Sequence, residues 1–152
     1  MSLVVRQARL EELPGLSELC LRSKAVWGYD QAFLEACRSE LTLRPEELRT
    51  TLVAVAESES GVAGIVQIKD ADADAHLLKL FIEPRKLRTG IGSFLFSWAI
   101  EQAKSLGATR LLIESDPDAA SFYRGIGAYD VGVAPSGSIP GRFLPRLAFD
   151  LA

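Results

Sequence analysis

The stretch Leu77–Leu95 sets a strand, a basic turn bearing Gly90 and Gly92, and the first turns of an amphipathic helix in immediate succession. That order can cradle an anion. Helix N-termini carry unpaired backbone N–H groups and a partial positive charge, and glycines let those groups approach a ligand without Cβ interference. Arg85, Lys86 and Arg88 add mobile positive charge beside them. Neither of the familiar nucleotide motifs fits: Leu95 stands where a dinucleotide fingerprint needs its third glycine, and no Gly-Lys-Ser/Thr follows four spacers. Beyond the turn, Ile91, Phe94, Leu95, Trp98, Ala99, Ala103 and Leu106 recur at helical spacing, and Gly107 is a natural stop.

A second constellation lies downstream. Arg110–Glu114 reads as a buried strand and Asp116–Gly127 as a short helix, with Asp116 as N-cap, Pro117 at the first helical position and Asp118 in the first turn. Phe122, Tyr123 and Ile126 give this helix an apolar side, and Gly125 and Gly127 weaken its end.

Two motifs then coincide. Leu87-Arg88-Thr89-Gly90-Ile91-Gly92 is similar to the acyl-CoA pyrophosphate loop Q/R-x-x-G-x-G/A, and Asp116, Ala119, Tyr123 and Gly127 fall in register with N-x-x-A-x-x-x-Y-x-x-x-G. On these the chain resembles the GNAT superfamily, the GCN5-related N-acetyltransferases. Leu87 departs from the usual Gln or Arg, which removes a polar contact but leaves the backbone donors, and Asp116 stands where Asn is common. The resemblance implies transfer of acetyl from acetyl-CoA to the amine of a small-molecule acceptor by direct attack; no metal is expected, since His76 and the two distant cysteines show no ligand spacing. It assigns Leu87, Arg88, Thr89, Gly90, Ile91, Gly92 and Ser93 to the pyrophosphate, with Asp116, Ala119, Phe122 and Tyr123 also on the cofactor side. It further implies an α/β fold, a mostly antiparallel mixed sheet with helices on both faces, in which strands four and five splay apart. Here those are Leu77–Ile82 and Leu111–Glu114, and backbone groups near Phe81 and Ile82 would pair with the pantetheine arm.

The family gives the tyrosine at position 123 the role of general acid. A tyrosine of pKa ~10 holds its proton at neutral pH, ready for a thiolate whose conjugate acid is near ~8.5; the alternative is a tyrosine capping the core. His76, the one histidine, precedes the phosphate loop on the same strand and is a candidate base, or else a solvated residue at the strand start. Asp74 and Glu83 are weaker candidates. Trp27 and Tyr29, between the first two helices, either line the acceptor pocket or anchor their loop, and Arg142 either meets an acceptor carboxylate or phosphate or belongs to a solvated hairpin tip.

The elements that must position these groups follow from periodicity. Val4–Ala8 reads as a strand, Leu13, Leu16, Leu19 and Cys20 mark a helix, and Gln31–Glu40 a second. Thr51–Glu57 and Val62–Lys69 form a hairpin, Asp70–Ala75 a polar turn, and Asp130–Val133 and Leu147–Leu151 two late strands around the loop Pro135–Arg142. A length of 152 residues fits one domain, residues 1–152, able to bury a core without disulfides or metal. Cys20 and Cys37 both fall on helix faces, as buried free thiols do, and show no metal-ligand spacing. The net charge of −3 argues against nonspecific nucleic-acid binding, and no signal segment or long apolar run points to export or a membrane, so a cytoplasmic location is expected. Family practice also allows a homodimer. A CoA-binding sensor without turnover, or an interaction module using Trp27 and Tyr29, are the alternative functions.

Overall fold

The computed structural model describes residues 2–151. Its elements run β1 (Val4–Gln7), α1 (Leu13–Ala25), α2 (Gln31–Leu41), α3 (Glu47–Thr50), β2 (Leu52–Ser58), β3 (Gly61–Ala71), β4 (Asp74–Ile82), α4 (Ile91–Ser105), β5 (Arg110–Glu114), α5 (Ala120–Gly125), β6 (Tyr129–Pro135) and β7 (Phe143–Asp150). One seven-stranded sheet in the order β1-β2-β3-β4-β5-β7-β6 carries them. The β4–β5 pair is parallel and every other pair antiparallel, which is the mixed sheet that the sequence implies.

Alternation along the strands feeds two cores. Ala54, Val66, Ile68, Leu77, Leu111, Ile113 and Leu147 meet Ile91, Leu95, Phe96 and Ala99 of α4 and Tyr123 of α5. On the other face Val53, Val55 and Ile65 meet Leu16, Leu19 and Cys20 of α1 and Cys37 and Leu41 of α2. Local chemistry sets the helix starts: Pro14 sits in the opening turn of α1, and the Asp30 carboxylate accepts the Phe33 N–H at 2.8 Å to cap α2.

Several boundaries differ from the sequence reading. Asp70–Ala75 is not a six-residue polar turn, because β3 runs to Ala71 and β4 starts at Asp74, leaving Asp72 (φ 59°) and Ala73 as the turn. Cross-strand pairing overrides the low β propensity of the aspartates, and Asp74 gains Arg110 as a partner at 3.4 Å. The expected helix over Asp116–Gly127 begins as a 3₁₀ turn at Pro117–Ala119 and becomes α-helical at Ala120. The short α3 gave too little periodicity to be read, and β7 begins at Phe143 rather than Leu147.

The feature that matters most is in β4. Its parallel pairing with β5 covers Asp74–Leu77 against Arg110–Ile113 and stops there. On its other side Gln67 faces Lys79 while Ile68 faces Leu77, so Leu78 is an unopposed bulge residue. A bulge bends and twists its strand. Residues 78–82 therefore continue along β3 without β5, and a gap opens between the fourth and fifth strands.

Gly64 of β3 lets α4 pack tightly there: a Cβ at this position would stand 2.9 Å from Ile82 Cδ1, 3.0 Å from Leu95 Cδ1 and 3.1 Å from the Phe81 carbonyl oxygen. Overpacking of this kind costs ~1–3 kcal/mol. Gly64→Ala is accordingly expected to lower unfolding stability by that amount in urea denaturation; an unchanged midpoint would show that Ile82 and Leu95 yield freely.

Candidate active site

The gap opens into a cleft of about 1120 Å³ walled by β4, β5, the α1–α2 connection, the start of α4 and the start of α5. At one end lies the basic turn. Gly90 is the N-cap of α4 at φ +87°, a left-handed conformation that favours glycine, with open space where a side chain would project. No side chain among the described residues caps α4, so its first N–H groups remain available to a ligand. Thr89 closes the turn by donating its hydroxyl to the Lys86 carbonyl, and Ile91, 1% exposed, anchors the helix start in the core. Arg88 takes φ +62°, a strained choice for a residue with a Cβ. Arg85, Lys86 and Arg88 form no ion pair among the described residues. Leu87, Gly92 and Ser93 line the cleft, and Gly92 packs where a Cβ would meet the Phe122 ring at 3.3 Å.

Along the gap, the backbone of β4 divides its hydrogen bonds. Glu83 N–H bonds the Ala63 carbonyl at 2.8 Å, and antiparallel alternation makes Phe81–Ile65 the next bonded pair. Leu80 and Ile82 thus turn their backbone groups into the gap. Ile82 N–H already donates to the hydroxyl of buried Ser23, at 3.3 Å. The expectation for Phe81 and Ile82 is refined accordingly: the groups free for a ligand are those of Leu80 and the Ile82 carbonyl.

Tyr123 stands on the α4 side of the sheet, 7% exposed and lining the cleft, with its ring 5.2 Å from Phe122 and 5.9 Å from Phe96. Its hydroxyl has no hydrogen-bond partner among the described residues, and burial pushes the phenol up from its ordinary pKa. It therefore holds its proton across the neutral range. Ala119 joins it on the cleft wall.

His76 also lines the cleft, half-buried, but on the opposite face. The next residue, Leu77, faces α4, so alternation turns His76 toward the α1 side. Asp74 and Glu83 are tied elsewhere: Asp74 to Arg110 at the far end of β4, and Glu83 to Arg22 at 2.7 Å. The sequence reading missed Glu114, an exposed carboxylate on the His76 face that lines the cleft and forms no ion pair among the described residues. It also missed Lys79, whose 8% exposure is low for a lysine.

Trp27 lies on the cleft wall, 45% exposed. Tyr29 and Arg142 do not; they build a strut behind it. Arg142 Nη2 donates to Tyr29 Oη at 2.7 Å, Tyr29 donates to Asp116 Oδ2 at 2.7 Å, and Lys24 Nζ donates to the same oxygen at 3.2 Å. Tyr29 stacks on Phe33 at 4.0 Å, with the Arg142 guanidinium 4.9 Å from the Phe33 ring centre. The strut joins the α1–α2 connection, the β5–α5 turn and the β6–β7 loop, which brings Gly137 to the cleft beside Glu40. Burial and the Asp116 hydrogen bond push the Tyr29 phenol up to about 12.

Cys20 is inert here, since burial pushes its thiol up to about 12. Among the described residues no three His, Cys, Asp or Glu side chains group as metal ligands, and no helix is long and apolar enough to cross a membrane.

A sheet split beside an anion-binding helix start, with a protonated phenol on one face and candidate bases on the other, is an architecture for group transfer. Residues 15–132 match the acetyltransferase (GNAT) domain, and the chain belongs to that family. Solved structures of the same fold include a GCN5-related N-acetyltransferase from Rhodopseudomonas palustris, at TM-score 0.83 and 17% identity over 99% of this chain and 97% of that one. PaiA N-acetyltransferase from Thermoplasma acidophilum, in complex with coenzyme A, superposes at TM-score 0.78 and 20% identity over 99% of both chains. The ribosomal-protein-S18-alanine N-acetyltransferase of Escherichia coli follows at TM-score 0.72 and 16% identity, over 99% and 95%. No curated protein sequence matches the chain.

Burial alone would raise the Asp116 pKa, but hydrogen bonds from Tyr29 and the Asp118 N–H, with the charge of Lys24, hold it below the ordinary range. A carboxylate lowered in the folded state stabilises the fold above its unfolded value and loses that contribution as pH falls below ~3.9. Asp116→Asn should flatten the loss of stability on acidification, read as urea midpoints between about pH 6 and about pH 3; an unchanged acid limb would show that the strut carries no linkage.

Proposed function

We propose that this chain is an acetyl-CoA-dependent N-acetyltransferase that acts on a small amine by direct attack. The observation that carries this is the β4–β5 gap running from the uncapped, glycine-opened start of α4 to Tyr123. When bound, acetyl-CoA supplies an activated thioester. Leu87, Arg88, Thr89, Gly90, Ile91, Gly92 and Ser93 hold its pyrophosphate with backbone N–H groups and the Arg88 charge, and the Leu80 and Ile82 backbone groups orient its pantetheine arm as a further strand would pair. From the α4 face Tyr123 donates its proton to the departing thiolate, with Phe122, Ala119 and Asp116 fixing the turn that presents it. From the α1 face His76 takes the proton of the attacking amine. Glu114, which forms no ion pair among the described residues, is the second candidate base on that face. Trp27 shapes the acceptor pocket, while Tyr29 and Arg142 support its wall.

The reaction belongs in the cytoplasm on this reading, with the single domain 1–152 as the working unit. The CoA-sensor alternative keeps the gap and the loop but lacks turnover, and the base candidates His76 and Glu114 on the cleft wall favour the enzyme.

Calorimetric titration with acetyl-CoA tests the donor site. The wild type should bind, and Gly90→Glu, which fills and repels at the phosphate position, should not; binding retained in the variant would remove the loop from the site. Tyr123→Phe should lower kcat by ~10²- to 10⁴-fold with acetyl-CoA affinity kept. His76→Ala and Glu114→Gln separate the bases, since the true base flattens the acidic limb of the pH–rate profile, and a profile unchanged in both would exclude the pair.

A further inference from the structure

We propose that the acceptor carries a carboxylate beside its amine and that Lys79 receives it; this rests on the acetyl-transfer reading above. Lys79 lies on the α1 face of β4, on the cleft wall and two residues from Phe81, whose side chain packs against the α1–α2 core. Its Nζ makes one hydrogen bond, to Gln67 Oε1 at 3.1 Å. Gln67 is fully buried and is itself fixed from behind, through Nε2, by Thr51 Oγ1 at 3.1 Å and Glu47 Oε1 at 3.3 Å. No carboxylate lies within ion-pair distance of Lys79 among the described residues.

A buried ammonium whose partner is a neutral amide is costly, and a lysine has two further N–H donors to offer. An anion arriving through the cleft would remove that cost. The count of charges selects its class: one ammonium balances one negative charge, whereas a phosphate dianion would leave surplus charge in the same poorly solvated place. Gln67, held at its far end, keeps the ammonium from swinging away. His76 projects from the same face of β4, so an amine whose carboxylate is anchored at Lys79 lies between that anchor and the gap. Arg142, the sequence's candidate for acceptor anions, is instead engaged by Tyr29 and Phe33. The substrate class is therefore amino acids and related amino-carboxylates.

The test reads the acceptor pocket without requiring turnover. The full chain is titrated with a panel of N-acetyl-L-amino acids and with the matching carboxamides, with and without CoA, followed by tryptophan fluorescence and calorimetry. At least one free acid should bind ~10-fold or more tightly than its amide, the size expected for a hydrogen bond to a charged group. Lys79→Met should abolish that difference, Lys79→Arg should restore part of it, and both should bind acetyl-CoA as the wild type does. Equal affinity of acids and amides, no acid binding at all, or a preference that survives in Lys79→Met would each overturn the assignment. Acetyl-CoA affinity in the same samples judges the donor site separately: its absence would refute the acetyl-transfer reading and leave the acid–amide comparison to decide on Lys79.

Discussion

Everything in this structure depends on how one strand shares out its backbone hydrogen bonds. β4 must pair with β5 at its start to hold the sheet together and must leave β5 before its end to open the sheet. The Leu78 bulge makes both possible, because it bends the strand at the point where the parallel ladder stops. Beyond it β3 still satisfies one side of β4, so the open side exposes few unpaired groups, and the hydroxyl of Ser23 satisfies one of those. The unpaired groups that remain sit in a lined cleft, where a ligand can meet them.

The opening gives the two faces of the sheet different tasks. On one face α4 brings its positive end to the gap and α5 brings a buried phenol, both set in a core dense enough that a Cβ at Gly64 or Gly92 would crowd Ile82 and Leu95 or the Phe122 ring. The other face collects His76, Lys79 and Glu114 under the α1–α2 connection. The Tyr29–Asp116–Arg142 strut braces that connection across the β5–α5 turn, so this side of the cleft is anchored to the turn that leads into α5. A single aspartate thus links both halves.

What was legible in the sequence was local. The basic turn, its glycines and the amphipathic helix after it declare themselves within a few residues, and the mixed sheet follows from the order of the elements. The β4 bulge was hidden because Leu77-Leu78-Lys79-Leu80-Phe81-Ile82 reads as one apolar run, and a bulge is set by the partner strand. Asp116 reads as a helix cap, which it is, yet its hydrogen bonds to Lys24 and Tyr29 cross most of the chain. Arg142 looked free for the same reason, since its partners Tyr29 and Phe33 lie far upstream. Lys79 carried no signal in the sequence, because only the fold buries it and sets Gln67 beside it.

The division of the β4 backbone is best tested by amide hydrogen exchange, read residue by residue by NMR, with and without CoA. With CoA bound, the Leu80 amide should slow markedly while the Phe81 amide, already bonded to β3, stays unchanged. A Leu80 amide that exchanges at the same rate in the complex would contradict the account, because the gap would then not be where the donor pairs with the sheet.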